Sequence, residues 1–209
     1  MSRHPVYSCP ENRALALQAL KEHSLAVVSI ATQPASGETA SHESHRAQVR
    51  MQLRAALTDV LSTFLECAPE DIDLTHTPGQ APKRSLCRSM PDRQIGISIS
   101  HEQGLSIAAI YLDGGVGVDV VMIDPKIEWH AVAELYLGPQ VSAEIAKVSV
   151  SQQPAYFSLE WASLEARSKC CQRALSEWSS ELEQVLKNCV VYELDLPGGY
   201  AAVLALRGS

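Results

Sequence analysis

Apolar residues recur along this chain at two spacings, and the switch between them marks out its elements. Val49, Leu53, Leu57, Leu61 and Phe64, joined by Ala56, Val60 and Leu65, fall on one face at helical spacing. That stripe predicts a long amphipathic helix, capped by Ser41 or Ser44 and ending near Cys67, before Pro69. Ahead of it, residues 25–31 are rich in valine and isoleucine and read as a buried strand. Residues 1–22 are polar with a short helical pattern (Ala14, Leu15, Leu17, Leu20) and read as a mobile lead-in. Residues 69–94 read as a loop, broken by Pro69, Pro78, Gly79, Pro82 and Pro91.

Three apolar runs follow at 95–99, 105–112 and 116–121, separated by His101-Glu102-Gln103-Gly104 and Asp113-Gly114-Gly115. Such short turns predict a three-stranded antiparallel meander. Beyond it, residues 128–149 give one or two short helices broken at Gly138-Pro139. Pro154 introduces a longer helix to about Arg173, with a second helix to Lys187. Two strands, 189–196 and 200–206, close the chain around Pro197-Gly198-Gly199. The class is α+β, read as two similar lobes over residues 1–122 and 123–209.

Composition narrows what such a protein does. Seventeen basic against 24 acidic side chains leave a net charge of −7, which argues against nucleic-acid binding driven by phosphate neutralisation. No apolar run approaches the length that spans a bilayer, so a cytoplasmic protein without a membrane partner is expected. The six cysteines show no paired spacing, and adjacent Cys170 and Cys171 are poorly placed for zinc or a bridge; reduced thiols are expected.

Three clusters carry candidate chemistry. Ser100, His101 and Glu102 stand at a strand exit beside a glycine turn, well placed to face a ligand or simply to form a polar turn. Asp119 lies inside the apolar run Gly117-Val118-Asp119-Val120-Val121, where a buried carboxylate needs a cation, a metal or hydrogen-bond donors. Trp161, Glu165 and Lys169 share one helical face, a spacing that also suits a plain surface ion pair.

Taken together and in this order, the clusters resemble the Sfp-type 4′-phosphopantetheinyl transferases. Their landmarks are a Ser-His strand end, a Gly-Val/Ile-Asp strand and a Trp-x-x-Lys-Glu-x-x-x-Lys helix. Ser100-His101, Gly117-Val118-Asp119 and Trp161 with Glu165 and Lys169 match these. Gln80-Ala81-Pro82 is similar to the family's Gly-x-Pro loop, Arg50 and Arg54 fit its arginine-bearing helix, and the ending from Tyr192 to Val203 resembles its closing hairpin. The chain departs from the pattern at Val121 (a second acid), Leu164 (the first Lys), and Gln172 and Ala174 (tail glycines).

The resemblance implies a pseudo-twofold pair of α+β lobes with the active site between them. It implies transfer of the phosphopantetheine arm of coenzyme A to a serine of an acyl or peptidyl carrier protein, releasing 3′,5′-ADP. Mg²⁺, or Mn²⁺ in its place, is the expected cofactor, with Asp119, Glu165 and Glu102 as ligands. Glu165, Lys169 and His101 become the catalytic set. Lys83, Arg84, Arg54, Ser100, His101 and Lys169 become the coenzyme A contacts, and the expected enzyme is a monomer. Carrier-protein contact is expected on the helices after Ile127, around Leu135 and Tyr136. The alternative is a catalytically weakened or inactive homologue that still binds coenzyme A or a carrier protein, which the four departures motivate.

Overall fold

The computed structural model describes residues 1–32, 42–74, 85–87 and 94–208. Among these residues the fold is α+β. Short strands β1 (Arg3–His4) and β2 (Tyr7–Ser8) precede α1 (Arg13–His23), β3 (Leu25–Ala31) and α2 (His42–Leu65). Next come a single 3-10 turn, β4 (Ile72–Asp73), β5 (Ser85–Cys87), β6 (Gln94–Glu102), β7 (Leu105–Tyr111) and β8 (Gly114–Met122). The second half holds α3 (His130–Val132), a π-helical turn over Ala133–Leu137, α4 (Pro139–Lys147), α5 (Gln153–Cys170) and α6 (Ser180–Leu186). Strands β9 (Val190–Leu194) and β10 (Tyr200–Gly208) end it. No helix among the described residues is long and apolar enough to cross a membrane.

The strands form two sheets, ordered β2-β3-β7-β6-β5-β4 and β1-β9-β10-β8. Alternation along each strand gives both sheets two apolar faces. Inner faces meet directly: Leu25, Val27, Ile107 and Ala109 share a core with Val118, Val120, Ala202 and Leu204. The outer face of the first sheet, with Ala26, Val28, Ala108 and Ile110, lies under α1 and the Leu53, Leu57, Val60 and Leu61 stripe of α2. The outer face of the second, with Val203 and Ala205, lies under Ala162, Ala166 and Cys170 of α5. The result is helix, sheet, sheet, helix. A separate cluster (Trp129, Leu137, Ile145, Phe157, Leu164, Leu186) gathers the remaining helices around the other side of α5.

Three expectations need correction. Residues 1–22 are part of the packed structure: Cys9, Ala16, Ala19 and Leu20 are buried in the core, and β1 extends the second sheet beside β9. Its small and leucine side chains were too sparse to announce this. Residues 69–94 hold two short strands, β4 and β5, that pair with one another. The meander also fails. The β6–β7 hairpin forms as expected, with Gly104 in the left-handed region (φ 81°) at its tip. Strand β8, however, pairs antiparallel with β10 across its whole length, Asp119 opposite Val203. A strand with two apolar faces serves equally well in either sheet, so periodicity alone could not choose.

β8 is therefore an edge strand, and its outward N–H groups need partners. Side chains of β6 supply them at every second position. Val118 N–H donates to Ser98 Oγ at 2.9 Å, Val120 N–H to Ser100 Oγ at 3.4 Å, and Met122 N–H to Glu102 Oε2 at 3.2 Å. Two serines and a glutamate thus do what a neighbouring backbone would do, and they fix the register between the sheets. Tyr200 adds a tie at the same end, its hydroxyl donating to Gln103 O at 2.7 Å.

Candidate active site

This seam positions Asp119. With its neighbours' amides turned toward β6 and its own carbonyl pairing in the sheet, the Asp119 side chain points to the α5 side and is 4% exposed. An ionised carboxylate so enclosed needs close opposite charge and hydrogen-bond donors. It has both: Ser100 Oγ donates to Oδ1 at 2.7 Å, and Lys169 Nζ lies 2.7 Å from the same oxygen. The ammonium also donates to Val118 O at 3.1 Å.

Lys169 reaches this far because α5 packs unusually close. A Cβ placed on Gly117 would strike the carbonyl of Ala166, so only glycine admits the helix here. Helical spacing alone places Glu165, one turn before Lys169, 4.0 Å from its ammonium. Burial, reinforced by the negative charge of Asp119, holds the Glu165 carboxyl above the usual carboxylate range; Lys169 and a hydrogen bond with Trp161 pull the other way. Trp161 is itself braced by edge contact with Tyr136 and stacking on Phe157.

On the β6 side, His101 Nδ1 meets Ser106 Oγ at 2.8 Å, its cross-strand neighbour. Burial first, then the cations Arg50 and Lys169, push its ring down to about 4, so it is neutral near pH 7. Arg50 of α2 is thus close enough to this corner to act on it, while Arg54, one turn on, is exposed. The carboxylate of Glu102 accepts from the amides of Gln103 at 2.7 Å and Met122 at 3.2 Å, one on each oxygen. Lys83 and Arg84 lie outside the described residues.

One open cleft of about 410 Å³ gathers Ser100, His101, Glu102, Asp119, Glu165 and Lys169, with Trp161 at its wall. Three elements distant in sequence thus put their polar residues into a single space. Among the described residues no three His, Cys, Asp or Glu side chains stand close enough to cage a metal ion by themselves. A hard cation in phosphoryl-transfer chemistry asks for less: one or two carboxylates, with substrate phosphates and water completing its shell. Asp119 and Glu165 are the carboxylates that could serve, since the charge of Asp119 raises the Glu165 carboxyl and a cation beside them would relieve that repulsion.

No protein-family model matches the chain. A protein of Synechocystis sp. provisionally named a 4′-phosphopantetheinyl transferase is 21% identical over 126 residues, or 60% of this chain. The chain resembles that transferase. The match covers about half (50%) of the relative's own length. It agrees with the family resemblance carried by the Ser-His, Gly-Val-Asp and Trp/Glu/Lys motifs.

Two departures from the transferase pattern find a place in the fold. Leu164 is buried in the helical cluster, facing away from the cleft. Val121 lines the cleft beside Asp119 without adding charge. Sequence reasoning missed Ser106, and read Ser98 and Gly117 only as members of their motifs, without the roles they play at the β8 edge and under α5. Serines alternating with isoleucines over residues 97–100 were the available signal for the role of Ser98, since a hydroxyl on the inner face of a strand needs a partner.

Proposed function

We propose that this chain moves the 4′-phosphopantetheine arm of coenzyme A to a serine of an acyl or peptidyl carrier protein, releasing 3′,5′-ADP, with Mg²⁺ or Mn²⁺ as cofactor. The observation that carries the reading is the meeting of Asp119, Glu165 and Lys169 in one cleft with Ser100 and His101. It stands in a chain similar to a provisionally named 4′-phosphopantetheinyl transferase. The reading includes two α+β lobes, over residues 1–122 and 123–209, with the site between them. In its support, α2 and α5 each cover the outer face of a sheet. Across the proposed boundary, β1 and β8 lend pairing to the later sheet.

Asp119 and Glu165 would hold the cation, and Glu102 keeps a lone pair on each oxygen to join them. A bound cation would supply charge stabilisation to the diphosphate oxygens. Glu165, with its raised affinity for a proton, takes the hydrogen of the incoming serine hydroxyl. The serine oxygen bonds to the β-phosphorus as the bond to the departing ADP breaks. Lys169 offsets the charge that collects on the leaving oxygen. His101 Nδ1 is paired with Ser106 Oγ; in the tautomer in which Nδ1 accepts, Nε2 carries the ring hydrogen and donates to a phosphate oxygen. Lys83, Arg84 and Arg54 hold the 3′-phosphate and diphosphate as localised cations in an acidic protein. Exposed Leu135 offers a contact for the carrier, while Tyr136 is half-buried against Trp161. The enzyme is proposed to act as a cytoplasmic monomer.

The test is incubation of the purified protein with Mg²⁺, coenzyme A and a panel of apo carrier proteins, read as the intact mass of the carrier. Appearance of the holo form, abolished by a chelator, is the expected result. Coenzyme A binding without conversion of any carrier would instead establish the binding-only homologue. Neither binding nor conversion would end the proposal.

A further inference from the structure

The chain holds a second cluster of reactive side chains that the cleft does not use. Helix α5 ends at Cys170, and Cys171 caps it with its N–H bonded to Arg167 O at 2.9 Å. Gln172 then turns the chain in the left-handed region (φ 54°). After α6 the chain returns, and a turn closed by Cys189 N–H on Leu186 O at 3.2 Å leads into β9. That return brings Cys189 Sγ to 3.4 Å from Cys171 Sγ, across 18 positions of sequence. The neighbouring pair that reads as awkward in the sequence thus has, through Cys171, a third thiol as its partner.

We propose that Cys171 and Cys189 form an intramolecular disulfide by exchange with low-molecular-weight disulfides, fastening the C-terminal end of α5 to the root of β9. The sulfurs already touch. A bond needs them at about 2.05 Å, a further approach that side-chain rotation can supply. Exposure decides the order of events. Cys189 is half-buried, whereas Cys171 is 8% exposed, so an incoming small disulfide meets Cys189 first. The Cys189 thiolate attacks the small disulfide, forming a mixed disulfide and expelling one thiolate. The Cys171 thiolate then attacks the Cys189 sulfur and expels the second. Two protein thiols lose two electrons and two protons; the small disulfide gains them and leaves as two thiols.

The surroundings set the pace of this exchange. Burial, then the bond to Cys189, pushes the Cys171 thiol up to about 11. The hydrogen bond with Cys170, followed by burial, raises Cys189 as well. Arg207 pulls against the first shift; the bond to Cys171, and after it Arg167, pulls against the second. Since only thiolate attacks, exchange is slow near neutrality and speeds up by about tenfold per pH unit toward alkaline conditions.

The experiment uses the full chain with oxidised glutathione at alkaline pH, followed by alkylation of free thiols and peptide mapping. The expected product is lighter by two hydrogens, linked Cys171 to Cys189, with Tm raised by about 5 to 10 °C because the closed loop restricts the unfolded chain. Cys171→Ser and Cys189→Ser each remove the link and the gain in Tm, while Cys170→Ser keeps both. Mapping of the unmodified protein stands on its own if a serine variant fails to fold. Both thiols still alkylated after prolonged exposure, or a Cys170–Cys189 link instead, would overturn the proposal. The outcome is independent of whether the cleft transfers phosphopantetheine.

Discussion

Helices α2 and α5 perform the same architectural task with opposite side chains. α2 meets its sheet through Leu53, Leu57, Val60 and Leu61, all buried. α5 meets its sheet through Ser158, Ala162 and Ala166, also buried, over a glycine at 117. Large side chains hold a helix off and fill the gap with apolar volume; small ones let the backbones close in. Only the second arrangement lets Lys169 donate to the β8 backbone at Val118 and meet Asp119 at 2.7 Å. The leucine-faced helix builds a core, and the alanine-faced helix builds a site. Between these two helices, hydrophobic strength falls to α2 and close functional approach to α5.

The largest effect should come from closing the gap that α5 exploits. Gly117→Val drives a side chain into the Ala166 carbonyl and should cost about 3 to 5 kcal/mol or prevent folding, read by chemical denaturation. On the leucine side, Leu57→Ala should cost about 2 to 5 kcal/mol by leaving a cavity, yet keep the transfer rate per folded molecule. A large loss of rate there would erase the division of labour between the two helices. Glu165→Gln and Asp119→Asn should do the reverse, lowering transfer at least about a hundredfold while the far-UV spectrum stays native. Near-normal turnover in either variant would remove that residue from the mechanism. The smallest change belongs to Ser158, whose buried hydroxyl meets no partner among the described residues. Ser158→Ala should be neutral or stabilise by about 1 kcal/mol in a thermal melt.

How much of this was legible beforehand follows from the range of each signal. The α2 stripe and strand β3 could be read because local periodicity decides them, and both run where the pattern put them. The Gly138-Pro139 break and the Pro154 start also appear as written, with each proline at the first turn of its helix. The cleft residues were legible as a set of motifs, since their order and spacing could be matched even though no single cluster was distinctive. Sheet membership was not. β8 carries valines on its inner face and glycine, aspartate and valine on the other, which suits either sheet until β10 is in place. The role of Gly117 and the meeting of Cys171 with Cys189 depend on backbone approach across distant segments, and residue identity carries no trace of that.

The side-chain bridges along β8 have one more consequence. Ser98 and Val118 are both 0% exposed, so water cannot replace the hydroxyl that the Val118 amide meets there. Ser98→Ala strands that amide and should lower stability by about 1 to 3 kcal/mol in a thermal melt.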